Sequence, residues 1–350
     1  MEILNKNLLV LSVLFLILFP AAGFSMKISF FLGQATVTRD GKSTAVKSGD
    51  LIKDGDVIKT AKGAIVEVLY DDSSKITIQE NTIVQIGSKN IRSSSDVTII
   101  AGSINGKFGK LKKGVHRINT PTTVCSVRGT EFGVSVSKGG DSMVSLKEGS
   151  LDIDNPYREL QLKEGQSIEA ELGENPDVKN KILNSDEWED DRNQDVAEDI
   201  DERAGKYSEQ FDQLEANNEK TQSEVIELSE RTKKIATKDD LETSGMEIAA
   251  AEEDIEHDIL MNEASKLSAE NLMQDYEGSE HYTELEKMTQ KGDAVMEQQK
   301  KNYQAIQKVK QEYKKAYDRI MKKYKDDKSR IFKNLDDYKK SMHQTNEDNQ

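Results

Sequence analysis

Residues Asn119 to Asp154 read NTPTTVCSVRGTEFGVSVSKGGDSMVSLKEGSLDID, and the fold turns on this stretch. It opens with Thr120-Pro121. Proline has no N–H to give a sheet and holds the preceding residue extended, so a strand is expected to begin just beyond it. Val124, Ser126 and Arg128 then alternate with Cys125, Val127 and Gly129, and further on Phe132, Val134 and Val136 share one face. Lys138-Gly139-Gly140-Asp141 supplies a turn. Met143 to Leu146 and Leu151 to Ile153, parted by Glu148-Gly149-Ser150, complete a meander of short strands. The reading is a compact all-β unit.

These residues resemble the FecR domain of bacterial envelope proteins. The resemblance is carried by Thr120-Pro121, by Val127-Arg128-Gly129-Thr130-Glu131-Phe132, and by Val144-Ser145-Leu146-Lys147-Glu148-Gly149-Ser150-Leu151. Upstream, Gly49-Asp50-Leu51-Ile52, Gly55-Asp56-Val57-Ile58-Lys59-Thr60 and Asp71-Asp72-Ser73-Ser74-Lys75-Ile76-Thr77-Ile78 look like further pieces of the pattern. It covers residues 30 to 170. The resemblance implies a rolled, solenoid-like β domain, with Thr120, Pro121, Val127, Arg128, Gly129, Thr130, Phe132 and Gly149 in structural roles. Arg128 is expected to pair with Glu131 or hold a turn, beside a tight backbone position at Gly129. The family's best-known members regulate a sigma factor through a cytoplasmic segment ahead of one membrane helix. Here seven residues precede the first apolar stretch, too few to bury a core, so that activity is not carried over.

Composition separates the rest of the chain from this unit. Over 350 residues, mean hydropathy is −0.70, with 32% charged and 35% hydrophobic residues, which leaves little material for one large core. All prolines fall by Pro176, and only Gly205, Gly245, Gly278 and Gly292 follow it, so turn-rich β structure gives way to long helix. Residues 27 to 175 hold about 20 basic and 19 acidic side chains, which leaves nearly all of the net charge of −15 to the remainder. Residues 176 to 300 are strongly acidic and residues 301 to 350 basic. Overall acidity argues against a nucleic-acid partner.

The fold class is therefore α+β as segregated domains: a signal peptide (1–25), a FecR-like all-β domain (27–172), an acidic linker (173–195) and a helical, coiled-coil-like region (196–350). In the first segment, Leu8 to Phe19 is apolar apart from Ser12, and Pro20 to Ser25 supplies small residues for cleavage. A cleaved signal is expected over an uncleaved inner-membrane anchor, which needs about 20 apolar residues. It places the chain in the periplasm or outside the cell, without stable membrane insertion. Cys125, the sole cysteine, is expected as a buried packing residue.

Further strands are expected at Ile28 to Phe31, Gln34 to Thr38, Ile65 to Tyr70, Lys75 to Gln79, Ile83 to Ile86 and Val97 to Ile100, with Asp40-Gly41 a hairpin signal and Gly102, Gly106, Gly109 and Gly114 as punctuation. Lys107, Lys110, Lys112, Lys113, His116 and Arg117 read as an exposed basic loop, or as a surface for an anionic envelope polymer. Residues 186 to 195 read as a solvated helix start that Trp188 pins to the β unit.

Beyond it, Ala197, Ile200, Ala204, Tyr207, Phe211, Leu214, Asn218, Thr221, Val225, Leu228, Thr232 and Ile235 follow at alternating steps of three and four, a coiled-coil seam. A second apolar set begins after Gly245 (Ile248, Ala251, Ile255, Ile259). A third spans Val295 to Met342, with a stripe of tyrosines suited to helix packing. Turns near Gly245 and Gly278 would fold these helices on one another; the regular seam favours self-association of the first.

His116, His257, His281 and His343 are isolated, and no metal spacing, phosphate loop or set nucleophile is visible. No catalytic, cofactor or metal residue is assigned. The expected function is non-enzymatic binding or scaffolding in the periplasm through contact with a protein or anionic polymer. The alternatives are an extracytoplasmic signalling component acting on a separate membrane partner, and a holdase-like chaperone.

Overall fold

A computed structural model describes residues 26–324 apart from 89, 92–95, 110–115 and 199. The chain begins with β1 (Met26–Leu32), β2 (Ala35–Arg39), β3 (Lys42–Ala45), β4 (Leu51–Ile52), β5 (Val57–Thr60), β6 (Ile65–Tyr70), β7 (Lys75–Ile78), β8 (Ile83–Ile86) and β9 (Val97–Lys107). It continues through β10 (His116–Asn119), β11 (Val124–Val127), β12 (Glu131–Val136), β13 (Ser142–Glu148), β14 (Ser150–Asn155), β15 (Arg158–Lys163), β16 (Ser167–Ala170) and β17 (Asp177–Lys179). Four helices follow: α1 (Ser185–Glu198), α2 (Ile200–Thr232), α3 (Lys238–Asp275) and α4 (Tyr282–Tyr324). The expected class, an all-β unit followed by long helices, is the one observed.

The strands form two layers that share β9. One layer runs β4, β1, β6, β7, β9, β12, β13, β16, β17. The other runs β3, β2, β5, β8, β9, β10, β11, β14, β15. β9 pairs first with β8 and β10, then beyond Ala101 with β7 and β12. It changes layer at Gly102, whose φ is +87° and where a Cβ would stand 2.4 Å from Thr82 Oγ1, so only glycine fits. Gly102 and Gly106 thus lie inside a strand, a correction to their reading as turn punctuation. Between the layers Ile58, Val66, Ile76, Ile99, Ile118, Val127, Phe132 and Val144 form one buried core with Cys125.

The Gly-Asp repeat has a local cause. In Lys47–Asp50 and Lys53–Asp56 the aspartate carboxylate accepts the backbone N–H three residues earlier, at 2.8 Å in each turn. The glycine ahead of it takes a positive φ. Asp40-Gly41 joins β2 to β3 with both residues at positive φ, as a two-residue hairpin requires.

The seam is filled within the chain. Tyr207, Phe211, Leu214, Val225 and Leu228 of α2 share a buried core with Ile248, Ile255 and Ile259 of α3 and with Ile306, Val309, Tyr313 and Tyr317 of α4. Asn218, a polar seam position, accepts from Asn302 Nδ2 at 2.7 Å and fixes α2 against α4. Within the chain, the second and third helices cover the residues of the seam that was expected to favour self-association. Residues 325–350, with Ile331, Leu335 and Tyr338 of the expected third stripe, lie outside the described residues.

The α2–α3 turn falls at 233–237, ahead of Gly245, which sits inside α3. Thr237 and Asp240 form a capping box that starts α3: each side chain accepts the other's backbone N–H, at 3.1 and 2.9 Å. The supposed linker 173–195 contains β17 and most of α1. Trp188 is 8% exposed, with its indole N–H on Glu169 at 3.0 Å, and Arg192 pairs with Glu171 at 2.7 Å, so this stretch is docked on the β unit.

Candidate functional site

The structure divides the motif residues between two ends of β11. At one end, Thr120 accepts the N–H of Thr123 at 2.9 Å and the hydroxyl of Ser142 at 2.7 Å, closing a buried turn around Pro121. The Pro121 carbonyl points out of that turn. It accepts from Gln210 Nε2 of α2 at 2.9 Å and from Ser265 Oγ of α3 at 2.8 Å. At the other end, Gly149 (φ +95°) crosses the Gly129 carbonyl so closely that a Cβ would lie 2.9 Å from it. Val127, Thr130 and Phe132 are buried there, and Phe132 stacks on Phe108 at 5.7 Å. Arg128 is exposed. Glu131, its expected partner, pairs with Lys107 at 2.9 Å instead.

Around Pro121 the helices grip the β unit through polar groups that sequence reading did not connect. Asp141, fully buried in the β12–β13 turn, pairs with Arg203 of α2 at 2.7 Å and accepts the Leu172 N–H at 3.0 Å. Glu263 of α3 accepts from Gln85 at 2.8 Å, Ser88 at 2.6 Å and Asn90 at 3.0 Å. Arg117 lies between Asp96 at 3.2 Å and Glu256 of α3 at 2.8 Å. His116 is 1% exposed, edge-on to Tyr70 and bound to Asp72 at 3.0 Å. Of the expected exposed basic loop, then, His116 is buried and Arg117 half-buried in β10, and residues 110–115 lie outside the described residues.

Beside this grip, two adjoining hollows of about 390 and 360 Å³ lie between β14–β15 and α2–α3. Asp154, Glu159 and Asp254 border both, with Asp258 on one side and Glu253 and His257 on the other. Burial, with Asp154 and Asp254 nearby, pushes the Asp258 carboxyl up to about 8. The same enclosure brings Asp254 to about 6, and burial of Glu189 of α1 against the β unit brings it to about 7. Burial is the largest influence on His257 and opposes its charge, but the hydrogen bond to Asp154 at 2.7 Å and the charges of Asp154 and Glu253 together raise its pKa.

All four groups hold a proton to higher pH in the folded chain than in the unfolded one. Their contribution to stability is complete below their unfolded pKa values and is lost as pH rises through about 6 to 8. Thermal unfolding is therefore expected to fall by several degrees between pH 5.5 and 8.5, and Asp258→Asn to remove much of that slope. A midpoint that climbs over this range would contradict the assignment.

Among the described residues no group of His, Cys, Asp and Glu is arranged to hold a metal ion. The Cys125 thiol is fully buried, and burial pushes it up to about 12, so it is not a nucleophile at neutral pH. No helix among the described residues is long and apolar enough to cross a membrane. The Thr120-Pro121 turn is buried under α2 and α3, which reach its carbonyl through Gln210 and Ser265.

Comparison with known proteins agrees with the motif reading. The chain is 26% identical over 126 residues to an uncharacterized protein of Treponema pallidum (strain Nichols), an alignment covering 35% of this chain and 17% of that one. Two crystal structures of a candidate anti-sigma factor from Parabacteroides distasonis ATCC 8503, at 1.65 and 2.50 Å resolution, are 17% identical with a TM-score of 0.32. They match over 36% of this chain and 60% of theirs. The chain thus spans less than two thirds of the length of each of these relatives. Residues 56–152, which lie within the β unit, match the model of the FecR protein family.

Proposed function

We propose that this chain is a non-enzymatic envelope protein that works by protein contact in a signalling relay. The Thr120-Pro121 end of its FecR-like domain is the docking surface, and the helical region holds or releases it. The observation that carries this reading is the Pro121 carbonyl shared by Gln210 and Ser265: the family's Thr-Pro turn is engaged by helices of the same chain. The FecR-family match supports a regulatory role. Leu8 to Ser25 would direct the chain to the periplasm or beyond, where the chain acts on a separate membrane receptor or regulator.

The test is cross-linking in the intact envelope, comparing the wild type with Gln210→Ala, Ser265→Ala, which frees the carbonyl. Capture of a receptor or regulator, strengthened in the variant, is the expected result. Capture only of abundant structural proteins, equal in both, would replace signalling by the scaffold reading, and turnover of an envelope polymer by the purified chain would overturn the non-enzymatic one.

A further inference from the structure

We propose that the outer face of the β1–β4–β6 corner is a peripheral contact for an anionic lipid surface. Among the described residues, the principal contacts of the helices with the β unit lie on β9 to β12, away from this corner. Phe30 is 53% exposed, Leu32 56% and Leu51 59%, with Phe31 at the edge 36%. Pairing sets Phe30 opposite Glu67, Leu32 opposite Ile65, and Lys27 opposite both Leu51 and Leu69. Val66 and Val68, next in register on β6, turn into the core, so Phe30, Leu32 and Leu51 stand together on the outside.

Lysines rim these side chains. Lys27 lies in the row of Leu51, and Lys62 precedes the Gly63 backbone that packs on Gly33 at the end of β1. Lys42 and Arg39 border one hollow with Leu51, together with Asp40 and Asp50. Lys47 begins the turn whose Gly49 N–H bonds Ile28 O at 2.8 Å. Lys27, Lys42, Lys47 and Lys62 are all exposed. Residues 26–63 carry 7 basic against 4 acidic side chains in a chain of net charge −15, and Glu67, the acid nearest Phe30, is paired with Lys75 at 2.7 Å.

Apolar side chains that enter the headgroup region within a basic rim are the chemistry of a peripheral anionic-membrane contact. A protein partner fits less well. The four side chains expose roughly 400 Å², about half of what one partner of a standard protein interface buries. The register shift between Ile28 and Phe30 also bends β1 where it runs on past the two-residue β4, which discourages strand addition there. The surface lies on the first strand after the apolar Leu8 to Phe19.

The test puts an indole in the surface. Phe30→Trp protein, with its N-terminus defined by mass spectrometry, is mixed with phosphatidylglycerol–phosphatidylethanolamine vesicles whose acyl chains are brominated. The new indole should lose at least about half of its emission, while Trp188, packed on Glu169, should keep its own in the wild type. Lys27→Glu, Lys62→Glu in the same background should weaken the response about tenfold. Leu51→Trp gives a second reading should Phe30→Trp fail to fold. Indoles at both positions that stay unquenched, even on protein that floats with the vesicles through its leader, would overturn the proposal and leave the corner to a protein strand. Equal quenching by phosphatidylcholine vesicles would overturn the anionic-lipid assignment.

Discussion

Phe211→Asp, Leu214→Asp is expected to unfold the helical region of the intact chain. Both side chains are fully buried between α3 and α4. Truncating a buried Phe or Leu costs about 2–5 kcal/mol each, and placing two carboxylates in an apolar site adds a desolvation penalty. The sum approaches or exceeds the about 5–15 kcal/mol that typically holds a domain together. The helical far-ultraviolet signal should collapse, whereas Ile226→Asp, on the same helix but 61% exposed, should leave it within error. Sedimentation decides what the seam packs on. A wild type at the mass of one chain, with a variant that unfolds at that mass, is the result expected of an internal bundle. A wild-type dimer that the double substitution turns into a folded, helical monomer would return the seam to a role between copies.

The elements were legible in the sequence because alternation and heptad spacing are local signals. Ile65–Tyr70 and Ile83–Ile86 are strands with the bounds their alternation gave, and Tyr207, Phe211 and Leu214 point into a core as their spacing required. Glycines misled where their cause was packing. Gly106 sits inside β9 because a Cβ there would lie 2.4 Å from the Phe132 ring, a constraint no turn propensity encodes. The start of α3 carries a local signal in the Thr237–Asp240 capping box, ahead of Gly245, which sits inside the helix.

The site was legible only in part. Thr120-Pro121 announced a turn, yet its partners Gln210 and Ser265 stand 89 and 144 positions away from Pro121. Each looks like an ordinary polar residue on a helix. Asp154 and His257, 103 positions apart, give no sign of one another either. A heptad shows that a helix has a buried face, but it does not say whether the cover is a second copy or a later helix of the same chain.

Asp141→Ala is expected to lower stability by about 3–5 kcal/mol, because it strands a buried guanidinium rather than merely removing a contact. Arg203 is 6% exposed, its Nη1 lies 2.7 Å from Asp141 Oδ1, and the same oxygen accepts the Leu172 N–H at 3.0 Å. Urea unfolding at neutral pH should show the loss as a lower midpoint. Arg203→Met in the Asp141→Ala background should recover much of it, since the stranded charge is then gone and the methionine stem can fill the space. A loss under about 1 kcal/mol, the range of exposed pairs, would mean that Arg203 reaches water and that the helices are not closed on the β unit. The pair also bears on function. Arg203 and Gln210 are two turns apart on α2, one gripping Asp141 and the other Pro121. If α2 moves as one rigid rod, Asp141→Ala should loosen the hold on the Pro121 carbonyl and raise cross-linking at the Thr120-Pro121 end together with Gln210→Ala. Stability loss without that rise would separate the two contacts, leaving Asp141–Arg203 as a structural fastener alone.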